Sequence, residues 1–194
     1  MTGRVQTRLG FLGEFLRNPR ELGSVTPSSQ YLTRAVLGEI DFARVKRIAE
    51  LGPGTGVFTR SLLERLAPDG ELLAVETNRE FVELLPRELP DPRLSVVQDS
   101  AERLAELAAE RGWDGADVVV SGIPYSLLPR PVTAGILRAA ARTLRPGGLF
   151  VGYQYSPYLR PYLKAVFGNV RYKFVLLNVP PAFVYACRRR EPAR

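Results

Sequence analysis

The strongest constraint on this chain is an alternation. From Val45 onward the pattern predicts strands at Arg47–Leu51, Glu71–Glu76, Leu94–Gln98, Ala116–Ser121, Leu149–Gln154, Arg171–Leu177 and Ala182–Arg188. Helical patterns near Val57–Leu66, Arg79–Leu85, Ala101–Arg111 and Pro131–Leu144 separate the first five. Strands taken in turn with helices build a mostly parallel sheet covered on both faces. Only N-V-P-P, Asn178 to Pro181, joins the last two strands. So short a link carries no parallel crossover, which makes those strands antiparallel neighbours. The expected architecture is one α/β domain over residues 46–194, a seven-stranded sheet with an antiparallel last strand. At 194 residues the chain has room for that domain and little more.

Residues 1–45 lie outside the alternation and are expected to add N-terminal helices. Between Arg4 and Asn18, helical spacing gathers Val5, Leu9, Phe11, Leu12, Phe15 and Leu16 on an arc roughly 160° wide, flanked by Arg4 and Arg8. Gly10 and Gly13 each weaken an isolated helix by about 1 kcal/mol relative to Ala, so this one needs a surface to form on. Two surfaces qualify: the protein's own core, or the headgroup boundary of a membrane. Asn18-Pro19 ends the helix, G-S-V-T-P-S-S from Gly23 to Ser29 reads as a loop, and Ser28 or Ser29 is expected to cap a second helix running to about Leu37.

Composition narrows the chemistry. No apolar run approaches the roughly 20 residues that span a bilayer, and the N-terminus lacks a signal-peptide pattern. A cytoplasmic protein, at most peripheral to a membrane, is the expectation. One cysteine, Cys187, and no histidine leave neither an internal disulfide nor the usual zinc site. Cys187 lies in an apolar run and reads as core. Without histidine, proton removal falls to Tyr, Glu, Asp or water. A net charge of +7 favours an anionic partner, and nucleic acid and an anionic lipid surface both fit.

The most informative motif is E-L-G-P-G-T-G, Glu50 to Gly56, which closes a strand and opens a helix. Gly52, Gly54 and Gly56 permit a tight turn and close backbone approach to a ligand, while Glu50 is placed to accept hydrogen bonds from a cationic amino-acid group. V-E-T-N ends the next strand with Glu76, whose carboxylate suits a pair of ribose hydroxyls; capping of the following helix falls to Thr77 or Asn78. In Q-D-S-A, Asp99 is placed for an adenine amino group, and Asp99 or Ser100 also suits a helix cap. Together with L-R-P-G-G, Leu144 to Gly148, this series resembles the class I S-adenosylmethionine-dependent methyltransferases. The resemblance implies a Rossmann-like methyltransferase sheet and S-adenosyl-L-methionine as methyl donor, released as S-adenosyl-L-homocysteine. It places Glu50, Gly52, Gly54, Gly56, Glu76, Thr77, Asp99, Ser100 and Ser121 at the cofactor.

V-S-G-I-P-Y-S, Val120 to Ser126, resembles the loop after the fourth strand of amine-modifying methyltransferases, with Ser121 at the position where many have Asn, followed by Gly122. The match to rRNA adenine dimethylases runs through the core and this loop, but those enzymes add a helical RNA-gripping domain, whereas here R-R-R, Arg188 to Arg190, reads as a short solvated tail. A fuller resemblance is to the small bacterial phospholipid N-methyltransferases. It rests on the amphipathic helix, G-S-V-T-P-S-S, E-L-G-P-G-T-G-V-F-T, S-G-I-P and N-V-P-P-A-F-V-Y. It implies stepwise methylation of phosphatidylethanolamine towards phosphatidylcholine by a peripheral enzyme at the inner face of the cell membrane. Its partners are then a phospholipid and an anionic membrane surface rather than nucleic acid.

Within that resemblance Ser121, Tyr125 and Tyr153 are the catalytic candidates, with Ser121 Oγ orienting the amine. Thr26, Ser29, Tyr125, Tyr153 and Tyr155 are the substrate-binding candidates, and Val5, Arg8, Leu9, Phe11, Leu12, Phe15 and Leu16 would meet the membrane. Tyr125, Tyr153, Tyr155, Tyr158 and Tyr162 follow strands four and five, where open α/β sheets bind ligands; two of the five are expected to be packing. Arg130, Arg160, Lys164, Arg171 and Lys173 are candidate phosphate partners or a solvated basic face. Tyr125, the lipid phosphate or water is left to accept the amine's proton. The alternatives are an rRNA adenine or small-molecule amine methyltransferase, and a lipid-surface binding module without turnover.

Overall fold

A computed structural model describes residues 27–190, with side chains from residue 30 onward. Seven strands form one sheet: β1 Arg47–Leu51, β2 Glu71–Glu76, β3 Leu94–Gln98, β4 Ala116–Ser121, β5 Leu144–Gln154, β6 Arg171–Val175 and β7 Ala182–Arg188. Six helices cover it: α1 Pro27–Leu37, α2 Val57–Leu63, α3 Arg79–Glu88, α4 Leu104–Ala109, α5 Arg130–Thr143 and α6 Arg160–Phe167. The strand order is β3-β2-β1-β4-β5-β7-β6. β1 to β5 pair in parallel, and β7 is antiparallel to both of its neighbours. β6 therefore points the same way as the first five strands, and β7 is the single reversed strand.

The strands read as nearly continuous apolar runs because both faces are covered. Ala49, Val119, Phe150 and Tyr185 face one core with Trp113, Leu137 and Leu163. Ile48, Val120, Val151 and Val184 face the other with Val36, Leu62 and Leu85. Each valine, leucine, isoleucine or phenylalanine among them, fully buried, contributes roughly 1.5–3 kcal/mol. Cys187 is core, as expected, and burial pushes its thiol up to about 12.

Four local expectations change. α1 begins at Pro27, whose fixed φ suits a first helical turn, so Ser28 and Ser29 lie inside that turn instead of capping it. β5 starts at Leu144 rather than Leu149, because Leu144 already pairs with Ala116 of β4, and a register shift separates that pair from Val118 and Leu149. α6 was not legible: its eight residues, R-P-Y-L-K-A-V-F, show two turns of amphipathic pattern, too few to stand out. The R-R-R run is not a solvated tail. Arg188 lies in β7 and donates to Gly147 O at 2.9 Å, and the Arg189 guanidinium donates to the carbonyls of Arg142 and Leu144. Among the described residues, no helix is long and apolar enough to cross a membrane.

Candidate active site

Three glycines between β1 and α2 adopt positive φ, and each does so for a different neighbour. At Gly52 (φ +68°) a Cβ would lie 3.1 Å from the Ile123 side chain, so this glycine lets the loop after β4 close in. At Gly56 (φ +83°) it would lie 2.6 Å from Leu85, so this one lets α2 pack on α3. At Gly54 (φ +55°) nothing lies within 4 Å, and here the loop faces open space. Glu76 holds that loop from the next strand. Its Oε2 accepts from the Gly54 N–H at 3.2 Å, and its Oε1 accepts from the N–H groups of Thr77 and Asn78 at 2.8 and 2.9 Å. The cap of α3 is Asn78, whose Oδ1 accepts from the Glu80 N–H at 2.9 Å, which frees Glu76 for another role.

Glu50 ends β1 almost wholly buried, 2% exposed, and its Oε2 has no hydrogen-bond partner. Burial pushes its carboxyl up to about 7; Thr59 opposes the shift and the Glu76 carboxylate adds to it. The Thr59 hydroxyl is itself buried and closes no hydrogen bond within 3.5 Å, so it offsets the cost of burial only in part. An orphaned carboxylate oxygen beside an open glycine loop and a second carboxylate fits a ligand with a cationic amino group at one end and vicinal hydroxyls at the other. S-adenosylmethionine is such a ligand. Asp99 is committed in part: its oxygens accept from the Ser100 N–H and from Arg103, both at 2.7 Å, while Ser100 caps the short turn Ala101–Arg103.

The loop after β4 corrects two candidates. Ser121 and Tyr125 are each 0% exposed, and their hydroxyl oxygens lie 2.9 Å apart inside the core. Neither presents its side chain to the open edge, so Ser121 Oγ does not orient an amine, and Tyr125 offers neither a ring face nor a proton acceptor. Strand alternation gives the reason: Ser121 shares the face of Val119, and the chain turns back to place Tyr125 beneath it. Burial raises the Tyr125 phenol above its ordinary value, with the Ser121 bond opposing. Gly122 leaves no room for a side chain, because a Cβ there would lie 2.9 Å from Gly52 O and 3.4 Å from the Tyr153 hydroxyl.

Tyr153 is the tyrosine that the fold brings to the glycine loop. It projects from β5 on the same sheet face as Glu50, which, after burial and Tyr155, helps to raise its phenol above the ordinary value. Its ring stacks on Phe58 at 5.1 Å with 25° between planes and meets Tyr155 edge-on at 6.2 Å. Phe58 was not among the candidates. It belongs to V-F-T in the first turn of α2, and only its stacking partner, 95 positions along the chain, marks it as part of the site.

The other candidates divide. Tyr158 and Tyr162 pair with each other, hydroxyls 3.2 Å apart, and are packing. Arg171 and Lys173 both bind Glu39, at 3.2 and 2.5 Å, so neither is a free phosphate partner. Arg160 lies over the Tyr172 ring at 5.3 Å. Val5, Arg8, Leu9, Phe11, Leu12, Phe15, Leu16 and Thr26, and the side chain of Ser29, fall outside the described residues. Among the described residues, no cluster of acidic or thiol groups has a metal-binding arrangement.

A methyltransferase-domain family model matches residues 48–148. An ornithine lipid N-methyltransferase of Singulisphaera acidiphila is 30% identical over 180 residues, covering 92% of this chain and 94% of that protein. The 16S rRNA N2 G1207 methyltransferase RsmC of T. thermophilus, solved with AdoMet and guanosine, superposes with a TM-score of 0.65 at 25% identity. That match covers 88% of this chain and 45% of RsmC. The N-methyltransferase NodS of Bradyrhizobium japonicum WM9, solved with S-adenosyl-l-homocysteine, shares the fold. Its TM-score is 0.69 at 14% identity, over 94% of this chain and 98% of NodS.

Proposed function

The chain belongs to the class I S-adenosylmethionine-dependent methyltransferases, among the bacterial lipid N-methyltransferases, and from that membership we propose that it methylates the primary amine of phosphatidylethanolamine and its partly methylated products. S-adenosylmethionine is its methyl donor. The observation that carries the substrate reading is the character of the edge facing the glycine loop. Tyr153, Phe58 and Tyr155 present aromatic rings there, and Gly122 has no space for the side chain that would hold a base edge. An ammonium that gains methyl groups loses hydrogen-bond donors and becomes a greasy cation, for which an aromatic face is worth roughly 0.5–2 kcal/mol.

Each residue takes a part in this reading. Glu76 with the Gly54 backbone holds the adenosine end of the cofactor, and the buried Glu50 oxygen takes its amino group. The bound cofactor supplies a methyl carbon already activated by a sulfonium. What remains for the protein is to hold a neutral amine in line and keep water away. Tyr153, with its phenol held protonated by burial, orients the amine and does not deprotonate it. The carboxylates near this edge, Glu50, Glu76 and Asp99, lie at the ends of β1, β2 and β3, on the cofactor's side. The amine's proton therefore goes to the lipid's own phosphate or to water.

Ornithine lipid is the second reading, favoured by the near full-length relative. The purified full chain, given labelled methyl donor with vesicles of phosphatidylethanolamine, vesicles of ornithine lipid, or rRNA, separates the cases. Label in phosphatidylethanolamine is expected. Label confined to ornithine lipid moves the substrate to the second reading, and label confined to RNA overturns both.

A further inference from the structure

The turn between β6 and β7 has no part in cofactor binding, yet it is held firmly. Asn178, 3% exposed, donates from its side-chain amide to Pro180 O at 2.6 Å and faces the Tyr155 hydroxyl. Around this inward residue the neighbours point out: Leu176 is 69% exposed, Leu177 64% and Val179 81%. β6 runs with the parallel strands, so its C-terminal turn stands at the same sheet edge as Gly54 and Tyr153. Leu127 after β4 and Tyr155 after β5 are exposed at that edge too. Five of the eight exposed large apolar side chains among the described residues thus crowd one rim, and Tyr172 and Phe174 extend the patch along β6.

The charge of this half of the chain selects the partner. Between Asp117 and Glu191 there is no acidic residue, and of the cations in that stretch Arg130 and Arg160 open α5 and α6 at this edge, whereas Arg145, Arg188 and Arg189 lie at the opposite one. Aliphatic tips, tyrosines behind them and cations at the starts of α5 and α6 match the layers of an anionic bilayer: hydrocarbon, interface and headgroup charge. Leu176, Leu177 and Val179 have no π-face for stacking on bases, which disfavours a nucleic acid strand. We propose that the β6–β7 turn inserts Leu176, Leu177 and Val179 into an anionic phospholipid bilayer and so sets the mouth of the site against the headgroups. This docking surface deepens the lipid-methylating reading and rests on it for the substrate, but its test needs no turnover.

The full chain carrying Leu177→Trp is mixed with phosphatidylglycerol–phosphatidylethanolamine vesicles whose acyl chains are brominated. Native Trp113, 6% exposed and donating to Glu71 near the opposite edge, serves as the unquenched control. Quenching of the new tryptophan is expected. A Leu176→Asp/Leu177→Asp chain is expected to lose about tenfold or more in vesicle partition, with unchanged cofactor affinity and unfolding midpoint. An unquenched tryptophan on vesicle-bound protein, undiminished partition of the double variant, or no vesicle binding by the native chain overturns the proposal. Docking through the turn with no lipid methylated leaves the surface standing and sinks the substrate reading. Methylation of detergent-dispersed lipid with an unquenched tryptophan does the reverse.

Discussion

The hydroxyl oxygens of Ser121 and Tyr125 lie 2.9 Å apart with both side chains fully buried, so the loop after β4 is tied to the core from within. Either substitution, Ser121→Ala or Tyr125→Phe, strands a buried hydroxyl, at a cost of about 1–3 kcal/mol. The double variant is expected to cost less than the sum of the two. Urea unfolding measures all three. Wild-type stability combined with lost turnover would mean that one of these groups acts in the chemistry after all.

Gly122 separates two loops that almost touch. Gly122→Asn forces a side chain against the Gly52 carbonyl, a backbone atom that cannot swing away. Overpacking of this kind costs about 1–3 kcal/mol. Weaker binding of S-adenosylhomocysteine in calorimetry, lower turnover and no gain of methylation on adenine in RNA are expected. An active Gly122→Asn chain with native cofactor affinity would show that the loops have slack.

Glu50 ties stability to pH. Its folded-state value, about 7, is above the ordinary glutamate value of 4.5, so between those limits the native state keeps a proton that the unfolded chain has lost. Stability of the cofactor-free protein is therefore expected to fall as pH rises through that window, and Glu50→Gln to remove that part of the slope. Cofactor binding favours the ionised carboxylate, so Glu50→Gln is expected to weaken it by about tenfold or more, the loss of a hydrogen bond to a charged group. Thermal scans from pH 4.5 to 7 and cofactor titrations check both.

Tyr153 should act through its ring. Tyr153→Phe keeps the face stacked on Phe58 and is expected to stay within about twofold of native kcat/KM. Tyr153→Ala is expected to lose about 2- to 30-fold on mono- and dimethylated lipid. A larger loss for Tyr153→Phe than for Tyr153→Ala would point to the hydroxyl instead.

Residues 1–18, outside the described part of the structure, carry the amphipathic arc from Val5 to Leu16. Deleting them is expected to abolish methylation of vesicle lipid and to spare cofactor affinity. Unchanged lipid turnover would remove the membrane role assigned to that segment.

Much of this protein follows from local pattern. The limits of the first four strands and the last, the glycine turn, Glu50 and Glu76 at strand ends, Asn78 as a cap and the reversed last strand were legible, because each depends on neighbours a few residues away; the start of β5 and the end of β6, at Val175 rather than Leu177, were not. A four-residue link settles strand direction; a glycine at positive φ settles a turn. Tertiary structure decided what depends on distant partners. The motif alone makes Ser121 and Tyr125 look like contacts for an amine, but alternation along β4 and the return of the chain turn both hydroxyls into the core. Phe58 joins the site because α2 lies against β5, which no pattern around residue 58 records. Leu176, Leu177 and Val179, read from the sequence as a strand end and its link, become a rim of exposed aliphatic side chains because Asn178 is anchored inward beside Tyr155. Side-chain direction at a loop is set by which buried partner it finds, and that partner is supplied by the assembled sheet.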